Sequence, residues 1–107
     1  MPDEKRPDRD RGAAPVKERK PKTKRPRMYR VVFHNDDYTT MEFVVWVLRK
    51  VFHLPEPEAT HVMLTVHHKG KSAVGSYTKD IAESKVAQTL ALAEQHGMPL
   101  MVTSEPE

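Results

Sequence analysis

The hydrophobic period of this chain switches from strand-like to helix-like across one short polar stretch, so a strand must run almost directly into a helix. Tyr29, Val31 and Phe33 alternate over Met28 to Phe33, as in a half-buried strand whose other face is mixed. Further on, Met41, Val44, Val45, Leu48 and Phe52 recur at helical spacing, with Glu42, Arg49, Lys50 and His53 on the opposite, wet face. Between the two lies His34-Asn35-Asp36-Asp37-Tyr38-Thr39, which has to turn the chain. Thr39 followed three residues later by Glu42 fits a capping box, predicting a helix start at Thr40 or Met41.

The remaining elements follow from breakers and stripes. Leu54-Pro55-Glu56-Pro57 ends the first helix, and a second is expected from about Glu56 to Lys69, stopped by Gly70, with Ala59, Val62, Met63 and Val66 buried. His67 then lies at the edge of that stripe, while His68 shares the outer face with His61 and Thr65. Ser72 to Tyr77 reads as a strand interrupted by Gly75. Thr78 and Asp80 open a third helix through about Gln95, with Ala82, Val86, Leu90 and Ala93 inward. After His96-Gly97, the run Met98 to Thr103 reads as a last strand. The order β-α-α-β-α-β predicts a small α+β domain, a three-stranded sheet packed on one face by three helices. Trp46 falls on the wet face of the first helix; it either marks a contact surface or lies flat on its own helix.

Composition separates residues 1–27 from the rest. That segment holds eleven Lys or Arg, five Asp or Glu and five prolines but no aromatic residue, so it reads as a disordered, basic, Pro-rich extension. Residues 28–107 form the expected folded domain; seven bases against ten acids give it net −3, so the chain's +3 comes from the extension. A domain this small buries little more than ~60% of its unfolded surface, which favours a surface groove over a deep catalytic cavity. The chain has no cysteine, no long apolar run and a charged beginning. Those features point to a soluble cytoplasmic protein and exclude thiolate chemistry.

Chemistry-bearing motifs are few. Asn35-Asp36-Asp37 reads first as a turn with side chains bonded to nearby amides. Asp37 is the member expected to serve the turn and the helix start, leaving Asn35 and Asp36 as acceptors suited to a small cation such as an amine. The six histidines fit no zinc spacing, and no nucleophile elbow, oxyanion loop or phosphate-binding loop occurs. Neither enzymatic activity, nor a metal, nor any other cofactor is therefore expected. The basic extension could serve a ribosome- or nucleic-acid-associated module, the alternative reading. Its interspersed acids and lack of aromatic residues disfavour it.

Taken together, Asn35-Asp36-Asp37-Tyr38-Thr39 followed by Met41-Glu42-Phe43-Val44, then Met63-Leu64 with Val66-His67, Ala82-Glu83-Ser84-Lys85-Val86-Ala87 and Pro99-Leu100 resemble the bacterial ClpS adaptor family. The resemblance spans about Met28 to Thr103. It implies a fold similar to the C-terminal domain of ribosomal protein L7/L12. It also implies a non-enzymatic adaptor that holds the N-terminal segments of substrate proteins beginning with Leu, Phe, Tyr or Trp. Such adaptors deliver their cargo to a ClpA-type AAA+ unfoldase of the ClpAP protease. By the same resemblance Asn35, Asp36 and His67 contact the α-amino group. Asp37, Thr39, Met41, Val44, Met63, Val66 and Leu100 shape the side-chain pocket, with Met41 at a rim that excludes branching at Cβ. Asp80, Glu83 and Lys85 face the unfoldase. The extension, reaching roughly 90 Å if extended, becomes a handle for the unfoldase pore. Four positions depart from the family pattern: Thr40 for a frequent proline, His68 for a frequent tyrosine, Trp46 for a polar residue and Asp80 for Glu.

Overall fold

The computed structural model describes residues 25–107; the expectation of a disordered extension falls, for residues 1–24, outside the described residues. Six elements follow in the expected order: β1 (Met28–His34), α1 (Met41–Phe52), α2 (Glu56–Lys69), β2 (Lys71–Thr78), α3 (Lys79–Gln95) and β3 (Met101–Pro106). The sheet order is β2-β1-β3, and both edge strands run antiparallel to β1. β1 takes the centre because Val31, Val32 and Phe33 are the most continuously apolar strand residues, and all three are buried. The second face of β1 is therefore less open than alternation suggests: Val32, which pairs with Ala73 on one side and Thr103 on the other, is buried.

Val31 and Phe33 of β1 and Val102 of β3 project into one core with residues of all three helices, so the helices share one face of the sheet. The rings of Phe33 and Phe52 meet edge to face at 5.6 Å. The register of β1 against β2 shifts between Val31 and Val32, leaving Val74 as an extra residue beside Gly75. An added Cβ at Gly75 would lie 2.6 Å from the hydroxyl of Tyr77, whose ring covers it, so any larger residue there requires that ring to move.

Three details differ from the periodicity reading. In α1 a second row, Phe43, Val47 and Val51, is buried beside Val44, Leu48 and Phe52, because the helix packs against both α2 and α3; Met41 is left 45% exposed. In α3 the inward position is Thr89, not Leu90, which is 40% exposed. Thr89 is tolerated inside because its hydroxyl donates to the Lys85 carbonyl at 2.8 Å. The last strand begins at Met101 rather than Met98, since Met98 still closes α3 by donating to the Ala93 carbonyl.

α2 and β2 are joined by Gly70 alone, in the left-handed conformation at φ 91°. Its N–H closes α2 on the Val66 carbonyl and its carbonyl accepts from Asn35 N–H, both at 2.9 Å. That second bond ties the C-terminal end of α2 to the polar corner after β1. Among the described residues, no helix is long and apolar enough to cross a membrane.

Candidate functional site

The polar corner is organised by Asp36. Its Oδ1 accepts from the N–H of Tyr38 at 2.8 Å and of Thr39 at 2.7 Å, and its Oδ2 accepts from the Thr39 hydroxyl at 2.7 Å. This corrects the expectation that Asp37 serves the turn: Asp37 is exposed and, among the described residues, accepts none of these bonds. The cap moves with it. Thr39 spends its hydroxyl on Asp36, so Thr40 becomes the N-cap and accepts from Phe43 N–H at 3.1 Å, in place of a Thr39–Glu42 box.

Burial by itself raises the affinity of the Asp36 carboxyl for a proton. The bonds from the Thr39 hydroxyl, Thr39 N–H and Tyr38 N–H together outweigh it and hold the carboxyl below its ordinary value. Asp36 is therefore a carboxylate near neutrality. Of roughly four acceptor sites on a carboxylate, three are filled, leaving one, on Oδ2.

Beside this corner a cavity of about 220 Å³ opens between the β1–α1 turn, the start of α1 and the end of α2. Asn35, Asp36, Asp37 and Thr39 line it from the turn, Met41 and Val44 from α1, and Met63, Val66 and His67 from α2. The lining divides into two kinds of chemistry: amide, carboxylates and imidazole on one side, thioethers and valines on the other. The Asn35–Gly70 bond is what brings His67, three residues before Gly70, across from the corner. His67 and His68 are both exposed and meet edge to face at 5.2 Å, but only His67 lines the cavity.

Leu100 does not share in that lining; it is 5% exposed within the core. On α3, Asp80 and Glu83 are exposed, while Lys85 is half-buried. Its ammonium donates to the Val51 carbonyl at 2.8 Å and lies over the rings of Phe52 and Tyr77. The Trp46 ring resolves the two expectations for it in part. It packs against Phe43 of its own helix at 5.7 Å and His96 at 5.1 Å, yet stays 39% exposed. Residues that sequence reading left without a role here are Gly70, whose carbonyl anchors Asn35, and Thr40, the cap. Gly70 was visible only as a helix stop. No group of three or more His, Asp or Glu side chains poised to hold a metal occurs among the described residues.

Comparison with known proteins places this geometry. Residues 24–103 match the family described as "ATP-dependent Clp protease adaptor protein ClpS". The chain belongs to the ClpS family. Relatives named ATP-dependent Clp protease adapter protein ClpS include one from Desulfatibacillum aliphaticivorans, 52% identical over 80% of this chain and 83% of its own. Another, from Deinococcus radiodurans, is 54% identical over 79% of this chain and 75% of its own. A third, from Parvibaculum lavamentivorans, is 48% identical over 98% of this chain and 97% of its own. Among solved structures, Agrobacterium tumefaciens ClpS2 bound to L-phenylalaninamide superposes with a TM-score of 0.76 at 44% identity, covering 78% of this chain and all of that one. ClpS is a family of Clp protease adaptors, not of enzymes, and the family's fold is the one observed here.

Proposed function

We propose that this adaptor captures proteins by a free N-terminal amine together with a bulky apolar first side chain, Leu, Phe, Tyr or Trp. It then delivers them in the cytoplasm to a ClpA-type AAA+ unfoldase for degradation by ClpP. The observation that carries the proposal is the two-sided cavity, with Asn35, Asp36, Asp37 and His67 along one side and Met41, Val44, Met63 and Val66 along the other. A ClpS relative bound to L-phenylalaninamide, which has a free amine on an aromatic residue, supports the same reading.

The chemistry is additive. An α-amine with a pKa of roughly 7.7 to 8 is mainly cationic at neutral pH and has three donors. The open acceptor site on Asp36, the Asn35 carbonyl and a ring nitrogen of His67 receive them. Each bond to the charged amine contributes about 1.5 to 3 kcal/mol. Asp37 adds a second negative charge at the entrance. A Leu or Phe side chain filling the apolar half contributes another ~1.5 to 3 kcal/mol. Neither half alone is selective; together they require both features on one residue. Met41, exposed at the rim, is placed to reject side chains branched at Cβ. Asp80, Glu83 and Lys85 lie on α3, outside the cavity, where the unfoldase can dock while cargo is held.

Titration with labelled peptides tests the capture step. Peptides beginning with Leu or Phe bind, whereas the same peptides with an acetylated amine or an initial Ser do not. Equal affinity for all of these peptides overturns the proposal.

A further inference from the structure

A groove of about 390 Å³ runs along the outer seam of α1 and α2, separate from the cavity yet sharing two residues with it, Met41 and Met63. From that shared end it passes Val45 and Trp46 on α1 and Thr60 on α2. It stops at Arg49 and Glu56, whose charged ends meet at 3.9 Å. Met41 to Arg49 is eight helical steps, about 12 Å at the rise of an α-helix. An extended peptide covers that distance in three to four residues.

We propose that this groove is the subsite for the substrate residues that follow the first, with an apolar side chain of the second to fourth residue resting on Val45 and Trp46. The inference rests on the capture of the first residue in the neighbouring cavity. A protein substrate does not end where an amino-acid amide ends; its chain must leave the cavity, and the groove starts at the residues forming the cavity's rim. The walls match such a chain: Val45 is half-buried, and Met41 and Trp46 keep apolar surface exposed, 45% and 39% respectively. The Trp46 ring is held in place, clustered with Phe43 and His96 and with the Lys50 ammonium 5.7 Å from its centroid, so covering it costs little ordering entropy. The ion pair at the far end limits the apolar stretch to those few positions.

Trp46 is the single tryptophan of the chain and so reports on the groove directly. The experiment titrates the full-length protein and its Trp46→Glu and Val45→Glu variants with three Trp-free ligands: phenylalaninamide, Phe-Ser-Ser-Ser amide and Phe-Ser-Leu-Leu amide. The Leu-containing peptide is expected to bind the unsubstituted protein roughly tenfold more tightly than the Ser peptide. It should also shift Trp46 emission to the blue, and phenylalaninamide should leave that emission unchanged. In both variants the tenfold preference disappears, while phenylalaninamide binds as before. If phenylalaninamide binds but the Leu and Ser peptides are equal, or if the preference survives both substitutions, the groove is not the subsite. If phenylalaninamide itself fails to bind, it is the capture step that fails, a separate outcome.

Discussion

Replacing Asp36 by Asn separates two jobs that the carboxylate performs at once. The amide oxygen of Asn can still accept from Tyr38 and Thr39 N–H, and its NH₂ can face the Thr39 hydroxyl, so the turn keeps its connections. What is lost is charge. Bonds to a charged acceptor are roughly twice as strong as neutral ones, so the turn should weaken by about 1 kcal/mol. Binding of an N-terminal amine loses a charge-assisted bond of ~1.5 to 3 kcal/mol, a roughly 10- to 150-fold loss of affinity. Asp36→Ala differs in kind, because it also orphans three donors and destabilises the corner. Fluorescence anisotropy with a Phe-initiated peptide measures the first quantity and urea unfolding the second. The same logic fixes the acid limb. Burial would raise the carboxyl, but its three bonds outweigh burial and lower it. Its contribution to stability and binding is thus complete above the ordinary carboxylate value and is lost as pH falls through the lowered one. The Asn variant should be flat over that limb. Affinity within twofold of the unsubstituted protein, or an Asn variant as unstable as the Ala variant, would refute the assignment.

Other substitutions test the architecture that holds the site. Thr40→Ala should cost ~1 kcal/mol of unfolding free energy by removing the cap of α1, whereas a Thr39→Ala variant should weaken the turn around Asp36 without uncapping the helix; equal chemical-shift changes at Phe43 N–H in both would contradict this. His53 is the only described non-glycine residue with positive φ, at 58°, so His53→Gly should raise stability by about 1 kcal/mol, read as a higher midpoint in urea. Gly75→Ala should push Tyr77 off the bulge and disturb the Lys85 ammonium above its ring, costing ~1 to 3 kcal/mol. A stability unchanged by that methyl group would mean Tyr77 moves freely. Deleting residues 1–27 should spare peptide binding and slow delivery by the unfoldase, measured as degradation of a Leu-initiated reporter; undiminished delivery removes the handle.

The elements were legible because their signals were long and redundant. Glu56 to Lys69 carried Pro55 before it, Pro57 in its first turn, a stripe within it and Gly70 after it, and all of these signals agree on one helix. The errors fell where one residue's choice depended on tertiary contacts. Thr89 displaced Leu90 because a hydroxyl can hide on the carbonyl one turn back, which a hydropathy stripe cannot register. Leu100 and Val102 both turned inward, but only the packing of β3 decides whether an inward leucine meets the core or a cavity. Most of the cavity's lining was nonetheless readable from residue types along with the family resemblance, because its two halves come from segments whose ends are fixed by Gly70 and by the turn.

The confusion of Asp36 with Asp37 has a structural origin that bears on how the site works. Two adjacent aspartates offer the same chemistry, and either has backbone N–H groups two and three residues ahead to accept from. The position of the helix cap decides between them: with Thr40 as cap, Thr39 is free to bond backwards, and Asp36 is the acid within reach. Moving the cap by one residue moves the acid by one. The outcome leaves Asp36 pinned at both oxygens with one acceptor site open, and Asp37 exposed and, among the described residues, unpinned. On the proposed function, an incoming amine would meet a carboxylate whose orientation is already fixed by the fold, so little ordering would remain to oppose binding. The bonds that make the turn also keep Asp36 ionised, so shaping the corner and charging the site are one structural event.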